Sequence, residues 1–306
     1  MSGRKLHIWL EEVRAPFFTA TIVPVVLGTA IAWGRTGAFH GGVFLLTLLA
    51  GLGLHAGTNV INDYFDHRSG NDEINVEFLH PFTGGSRMIQ KGLLQPQEVL
   101  RGALTFFALG SLVGLYLTYT RGPVVLVLGL IGLFSGFFYT APPITLARWG
   151  IGELIVGVNF GLLMTLGSYY VQTRSLAWEP VVASIPVTLL IAGVLYINEF
   201  QDAPADQAVG KTHLVVRLGR QRAVIGYEIM MAATYLSIVL GVLTRWITPF
   251  ALLGLLTLPI ALQAVRTARV HYDEYLHLAP ANAGTIMTHL LTGLLLSVGY
   301  LVDKVV

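Results

Sequence analysis

Cysteine is absent from the 306 residues. That excludes disulfides, cysteine nucleophiles and thiolate metal sites, and it leaves oxygen and imidazole donors for any bound cation. Charged side chains are also scarce, at 12%, where soluble domains carry about 25%. With 54% hydrophobic residues and a mean hydropathy of +0.67, a water-soluble fold of this length has too little polar surface to cover itself. A net charge of +2 gives no basic footprint for nucleic acid. No G-x-x-x-x-G-K-[ST], G-x-S-x-G or H-E-x-x-H pattern is present.

What the chain does have is long apolar runs. A helix needs about 20 mostly apolar residues to cross a bilayer. Nine stretches qualify, near 15–33, 43–66, 98–119, 123–140, 151–172, 180–202, 222–243, 247–265 and 282–302. Residues 1–14 are polar and basic, and the run after them is longer than a signal-peptide core, so the first stretch reads as a retained span. The expected architecture is all-α: an integral membrane bundle of about nine transmembrane helices forming one domain, 1–306. Of the 19 Lys and Arg residues, only Arg35, Arg121, Arg174, Arg245 and Lys304 fall outside if the N-terminus is cytoplasmic, which favours that orientation.

Two connections are long and polar, 67–97 and 203–221. Both are expected on the cytoplasmic side, and each follows a span that ends in acids and amides. The first cluster is Asn59, Asn62, Asp63 and Asp66, with His55 one turn deeper and Asp72 in the loop beyond. The second is Asn198, Glu199, Asp202 and Asp206. At 100° per residue each set of four occupies roughly a 100° arc of one helix face. Pro204 leaves the alignment of Asp206 open, because proline disrupts the preceding turn. The spacing suggests a pseudo-repeat of four-helix units, an arrangement whose interface often holds a site.

Carboxylates at a bilayer are costly and usually face a protein interior or a wet cavity. Two such faces imply a shared cavity whose charges repel unless a cation lies between them. Mg²⁺ suits oxygen ligands and phosphates together. The basic residues nearby are Arg68, Arg87 and Lys91 in and beside PFTGGSRMIQKG, and Lys211 in Gly210-Lys211-Thr212. Gly84 and Gly85 allow backbone N–H groups to approach an anion, and acid with base in one place suggests a metal-bridged diphosphate. Pro142-Pro143 forces an extended turn beside Tyr139 and Arg148. The ring of Tyr139 fits either an interfacial belt or the stabilisation of an allylic cation. His289 reads as a hydrogen-bond partner between helices.

Asn62-Asp63-x-x-Asp66 with Asp202-x-x-x-Asp206 resembles the paired aspartate-rich motifs of the UbiA superfamily of membrane prenyltransferases. GGSRMIQKG, YTAPP, GKTHLVVRLG and the placing of the motifs after the second and sixth spans extend the resemblance over nearly the whole chain. SYYVQT at 168–173 and NEFQD at 198–202 are most similar to the 1,4-dihydroxy-2-naphthoate prenyltransferases of menaquinone synthesis. Two positions depart from the pattern: Gly70 stands where many members carry an aspartate, and Asn198 where some carry an acid.

The resemblance implies Mg²⁺-dependent transfer of a polyprenyl group from its diphosphate to an aromatic acceptor, by an enzyme of the cell inner membrane. It implies metal binding by Asp63, Asp66, Asp202 and Asp206. Diphosphate contacts would come from Asn62, Asn198, Arg68, Arg87, Lys91 and Lys211, with Tyr139 at the cation. Transfer to a non-aromatic acceptor in lipid or haem synthesis is the alternative within this class. An ion-coupled secondary transporter is the alternative outside it.

Overall fold

The computed structural model describes residues 2–306. Its membrane-crossing segments follow from apolar composition sustained over helical length. Among the described residues, eight helices are long and apolar enough to span a bilayer. An amphipathic helix α1 (Ser2–Glu12) precedes them. The spans are α2 (Ala15–Thr36, opening on a 3₁₀ turn), α3 (Gly41–Ser69) and α5 (Pro96–Arg121). They continue with α7 (Gly152–Thr173), α8 (Trp178–Ala208), α10 (Arg220–Leu243), α11 (Pro249–His271) and α12 (Ala279–Val305). Short helices α4 (Asn71–Ile74) and α9 (Leu214–Leu218) lie in the two polar connections.

The ninth apolar helix, α6 (Val124–Phe137), has 14 residues and so reaches only about 21 Å. The sequence reading carried this stretch to 140. The helix stops earlier because the chain turns back on itself: the Leu146 and Ala147 N–H groups bond the carbonyls of Phe138 and Tyr139 at 2.9 and 3.0 Å. The turn contains Pro142-Pro143, and Tyr139 is released from the helix at its mouth.

Each acidic helix packs against the next long helix, α3 on α5 and α8 on α10. One apolar core joins α2, α8, α10 and α12 around Leu27, Leu190, Tyr227 and Leu296, all 1% exposed or less. A smaller core joins α3 and α5 through Val60, Ile61, Val99 and Phe107. Leu112, Leu130, Leu236 and Leu256 point outward instead, as lipid-facing residues do. Midway along α7 the helix widens into a π segment, Val158–Leu163. Gly161 there lies so close to α8 that a Cβ would stand 2.4 Å from the Thr188 Cα.

α8 runs unbroken through Pro204. Proline removes the hydrogen bond to the carbonyl four residues earlier, here that of Phe200. The freed oxygen is not left bare, since Arg220 Nε donates to it at 2.7 Å. Asp202 and Asp206 therefore stay on one helix, which settles the alignment that Pro204 had left open.

Candidate active site

The two acidic faces meet. Lys211 reaches up from the second polar connection, with its Nζ 2.5 Å from Asp66 Oδ1 and 3.4 Å from Asp206 Oδ1. One cationic atom is thus shared by the end of α3 and the end of α8. Burial opposes the charge on Lys211, but the carboxylates of Asp66 and Asp206 outweigh it and raise the ammonium pKa above its usual value. The connection after α3 crosses to α8 as well. Asn71 Nδ2 donates to Asp206 Oδ1 at 2.9 Å, and Asn75 Nδ2 donates to Asp202 Oδ1 at 2.7 Å.

Asp63 is held from the other side. The Arg14 guanidinium pairs with its Oδ1 and also donates to Asn62 Oδ1 at 3.0 Å. The Ser86 backbone N–H donates to Asp63 Oδ2 at 3.0 Å. Gly85 makes this approach possible: its φ is +72°, and a Cβ there would sit 2.8 Å from Asp63 Oδ1. The loop amides do meet an anion, the protein's own carboxylate. Glu12 backs the same loop, accepting the Ser86 hydroxyl at 2.5 Å while fully buried. Desolvation, with the charge of Asp63 adding to it, pushes the Glu12 carboxyl up to about 8, against the pull of the Ser86 hydroxyl and Arg14.

The remaining basic residues lie elsewhere. Arg87, also at positive φ, spends its guanidinium on the carbonyls of Asp72 and Asn75 and stacks 3.9 Å from the Phe78 ring. It therefore shapes the loop that presents Asn71 and Asn75. Lys91 shares a separate cavity with Arg87, Asp72 and His80, and stands 4.0 Å from Glu11. Arg68 is exposed, 3.4 Å from the Tyr64 hydroxyl. Asp72 is buried among Asp66 and Asp63, and desolvation with those like charges pushes it up to about 8.

Among the described residues, Asp63, Asp66, Asp202 and Asp206 do not supply three ligand atoms within 4.8 Å of one another. Their contacts run through Lys211, Arg14 and the amides instead. The donor set nonetheless fits a hard divalent cation: carboxylate and amide oxygens, arranged around places already taken by positive charge. Glu199, read with the second motif, turns to a buried group with Glu153 and His213. There the Glu153 carboxylate accepts the Leu214 N–H at 2.8 Å.

Beneath this rim lies a cavity of about 490 Å³. Arg14, Asn62, Asn198 and Tyr139 line its polar end. Leu133, Phe160, Leu163 and Leu195 are among its apolar walls. His289 also faces it, and its Nε2 has no hydrogen-bond partner, contrary to the interhelical role read from the sequence.

Arg14, Glu12, Asn71 and Asn75 were not singled out by sequence reasoning. Arg14 is 49 residues from Asp63, and no local pattern links them. Asn71 and Asn75 carried a usable signal: they are four residues apart, directly after the first motif.

A family model described as the UbiA prenyltransferase family matches residues 21–277. Among curated relatives, a 2-carboxy-1,4-naphthoquinone phytyltransferase of Synechocystis is 30% identical, covering 96% of this chain and 92% of that protein. A 1,4-dihydroxy-2-naphthoate octaprenyltransferase of Mycobacterium tuberculosis is 33% identical, covering 85% and 86%. The Bacillus subtilis protein of that name is 28% identical, covering 97% and 92%. Among solved structures, a UbiA homologue from Aeropyrum pernix matches with a TM-score of 0.64 at 19% identity, covering 93% of this chain and 97% of that one. One from Archaeoglobus fulgidus, bound to DMAPP and Mg²⁺, gives 0.60 at 16%, covering 95% and 99%. The paired acidic helix ends, the apolar cavity beneath them and these matches agree: the chain is an integral membrane protein of the UbiA prenyltransferase family.

Proposed function

We propose that this enzyme transfers a polyprenyl group from its diphosphate to an aromatic acceptor of the dihydroxynaphthoate type, as a step in quinone synthesis. The observation that carries the reading is the shared position of Lys211 Nζ between Asp66 and Asp206, one cation bridging both motifs. The names of the naphthoate-prenylating relatives support the acceptor class. The acids lie at helix ends, within six residues of the ends of α3 and α8, rather than at a midplane as ion-coupled transport would favour.

Mg²⁺ is the cation this donor set suits, with Asp63, Asp66, Asp202 and Asp206 as ligands and Asn62 and Asn198 beside them. When bound it would join the aspartates to the diphosphate and neutralise charge growing on the leaving group. Lys211 and Arg14 stand ready at the same rim to balance that charge. Arg87 contributes by fixing the 72–75 backbone, and Arg68 and Lys91 add positive potential around the entrance.

The apolar cavity takes the prenyl chain and keeps water from the allylic cation once the C–O bond has parted with its electron pair on the diphosphate. Tyr139 presents its ring at the polar end, where that cation forms. A ring carbon of the acceptor then attacks, and its proton is lost. The rim, with the 67–97 and 203–221 connections, faces the cytoplasm across the inner membrane, following the distribution of basic residues.

The test is incubation of purified protein with labelled prenyl diphosphates and a panel of acceptors, with Mg²⁺ or with EDTA. Prenylated naphthoate product in Mg²⁺ and none in EDTA is expected. Product from a glycerol phosphate alone would overturn the acceptor class.

A further inference from the structure

The connection between α11 and α12 holds a group that the prenyl-transfer site does not use. His271, Glu274 and His277 offer three ligand atoms within 4.8 Å of one another. Glu274 Oε2 lies 3.3 Å from His271 Nδ1 and 2.7 Å from His277 Nδ1. The longer contact is a hydrogen bond, and the same carboxylate oxygen stands between both ring nitrogens. Ligand atoms about 2.1 Å from a tetrahedral zinc stand about 3.4 Å apart; the His271–Glu274 separation matches this, and a small outward turn of the exposed His277 side chain opens its shorter contact to the same span. The two imidazole rings are 5.3 Å apart at 36°.

The backbone makes this arrangement local. The Glu274 N–H bonds the His271 carbonyl and the His277 N–H bonds the Glu274 carbonyl, each at 2.9 Å, so the three side chains rise from successive turns. Asp273 anchors the connection to Arg220 at 3.0 Å. All three ligand side chains are open to solvent, at 34%, 54% and 68% exposed, so an ion reaches them directly and keeps water on its free positions.

We propose that His271, Glu274 and His277 form a binding site for a borderline divalent transition-metal ion such as Zn²⁺ or Co²⁺. Two imidazoles and one carboxylate favour such ions, whereas Mg²⁺ and Ca²⁺ prefer all-oxygen sites. The site lies apart from the acidic cleft between α3 and α8, on the connection between α11 and α12, and it does not depend on the reading of that cleft.

The experiment is Co²⁺ titration of the tag-free full chain in detergent, followed by visible absorption, with millimolar Mg²⁺ present throughout. The expected result is one Co²⁺ per chain with d–d bands, displaced by Zn²⁺. In H271A/H277A that band disappears while Mg²⁺-dependent prenyl transfer remains within twofold of wild type. E274Q, which keeps both imidazoles, binds more weakly. Absence of the band in the wild type, or an unchanged titration in H271A/H277A, overturns the proposal.

Discussion

At the scale of single residues, the rim is crowded with acids that folding has removed from water. Glu12 is the clearest case outside the spans, because it is fully buried and its carboxyl is raised to about 8. Its unfolded value is near the ordinary 4.5, so between these limits the folded state holds a proton that the unfolded state has lost. Stability from this group is therefore present at low pH and is lost as pH rises from about 4.5 to about 8. Asp72, shifted in the same direction, adds to the slope. Glu12→Gln removes the titration while keeping an acceptor for Ser86. Thermal unfolding in detergent from pH 5 to pH 9 should show a falling midpoint for wild type and a flatter profile for E12Q. Parallel profiles would show that Glu12 does not carry the shift.

The acids of this rim were legible from sequence because Asp63, Asp66, Asp202 and Asp206 recur at helical spacing in chains of apolar residues. Their pairing was not. Lys211 was legible as a cation beside the second motif, but its reach to Asp66 spans 145 residues, and Arg14 carried no local signal, since a lone basic residue near a membrane surface is equally well explained by topology. Arg87 was legible as a loop cation. What it touches depends on a backbone at φ +65°, which no residue count reveals.

At the scale of the element, α8 shows how a local rule is satisfied by a distant side chain. Pro204 frees the Phe200 carbonyl, and Arg220 at the start of α10 takes it up. Arg220 also pairs with Glu77 and Asp273, tying the end of α8 to the connections after α3 and after α11. An unsatisfied buried polar group costs about 1–3 kcal/mol. Arg220→Met should therefore destabilise the protein by roughly that amount. In a Pro204→Ala background, where residue 204 regains its N–H, the same change should cost less. A double-mutant cycle on unfolding free energy measures the difference, and additive losses would contradict the capping role. The π segment of α7 was illegible for a related reason. Apolar periodicity marks a helix, but the close approach of Gly161 to Thr188 is a property of two helices together.

At the scale of the molecule, the apolar runs gave the spans to within a few residues at most ends, because bilayer thickness constrains length directly. The larger differences are at the C-terminal ends of α8, read to 202 and running to Ala208, and α11, read to 265 and running to His271; α6 ends within three residues of its reading but is too short to cross. The proposed orientation can be measured, and the absence of cysteine helps. Single cysteines placed at Ser175, between α7 and α8, and at Lys91, between α3 and α5, should react differently with a membrane-impermeant maleimide on intact spheroplasts. Labelling at 175 and protection at 91 is expected, and the reverse pattern would invert the topology.

The central claim is that the ends of α3 and α8 work as one charged cleft. It is tested most directly by diphosphate release in Mg²⁺ from Asp66→Asn, Asp202→Asn and the double variant. Each single change should lower kcat/KM by roughly 10²–10³-fold, the scale of losing one group that stabilises developing charge. The double variant should fall little further, since residues acting on one site do not lose activity independently. Wild-type turnover in either single variant, or losses that simply multiply in the double, would contradict a shared site.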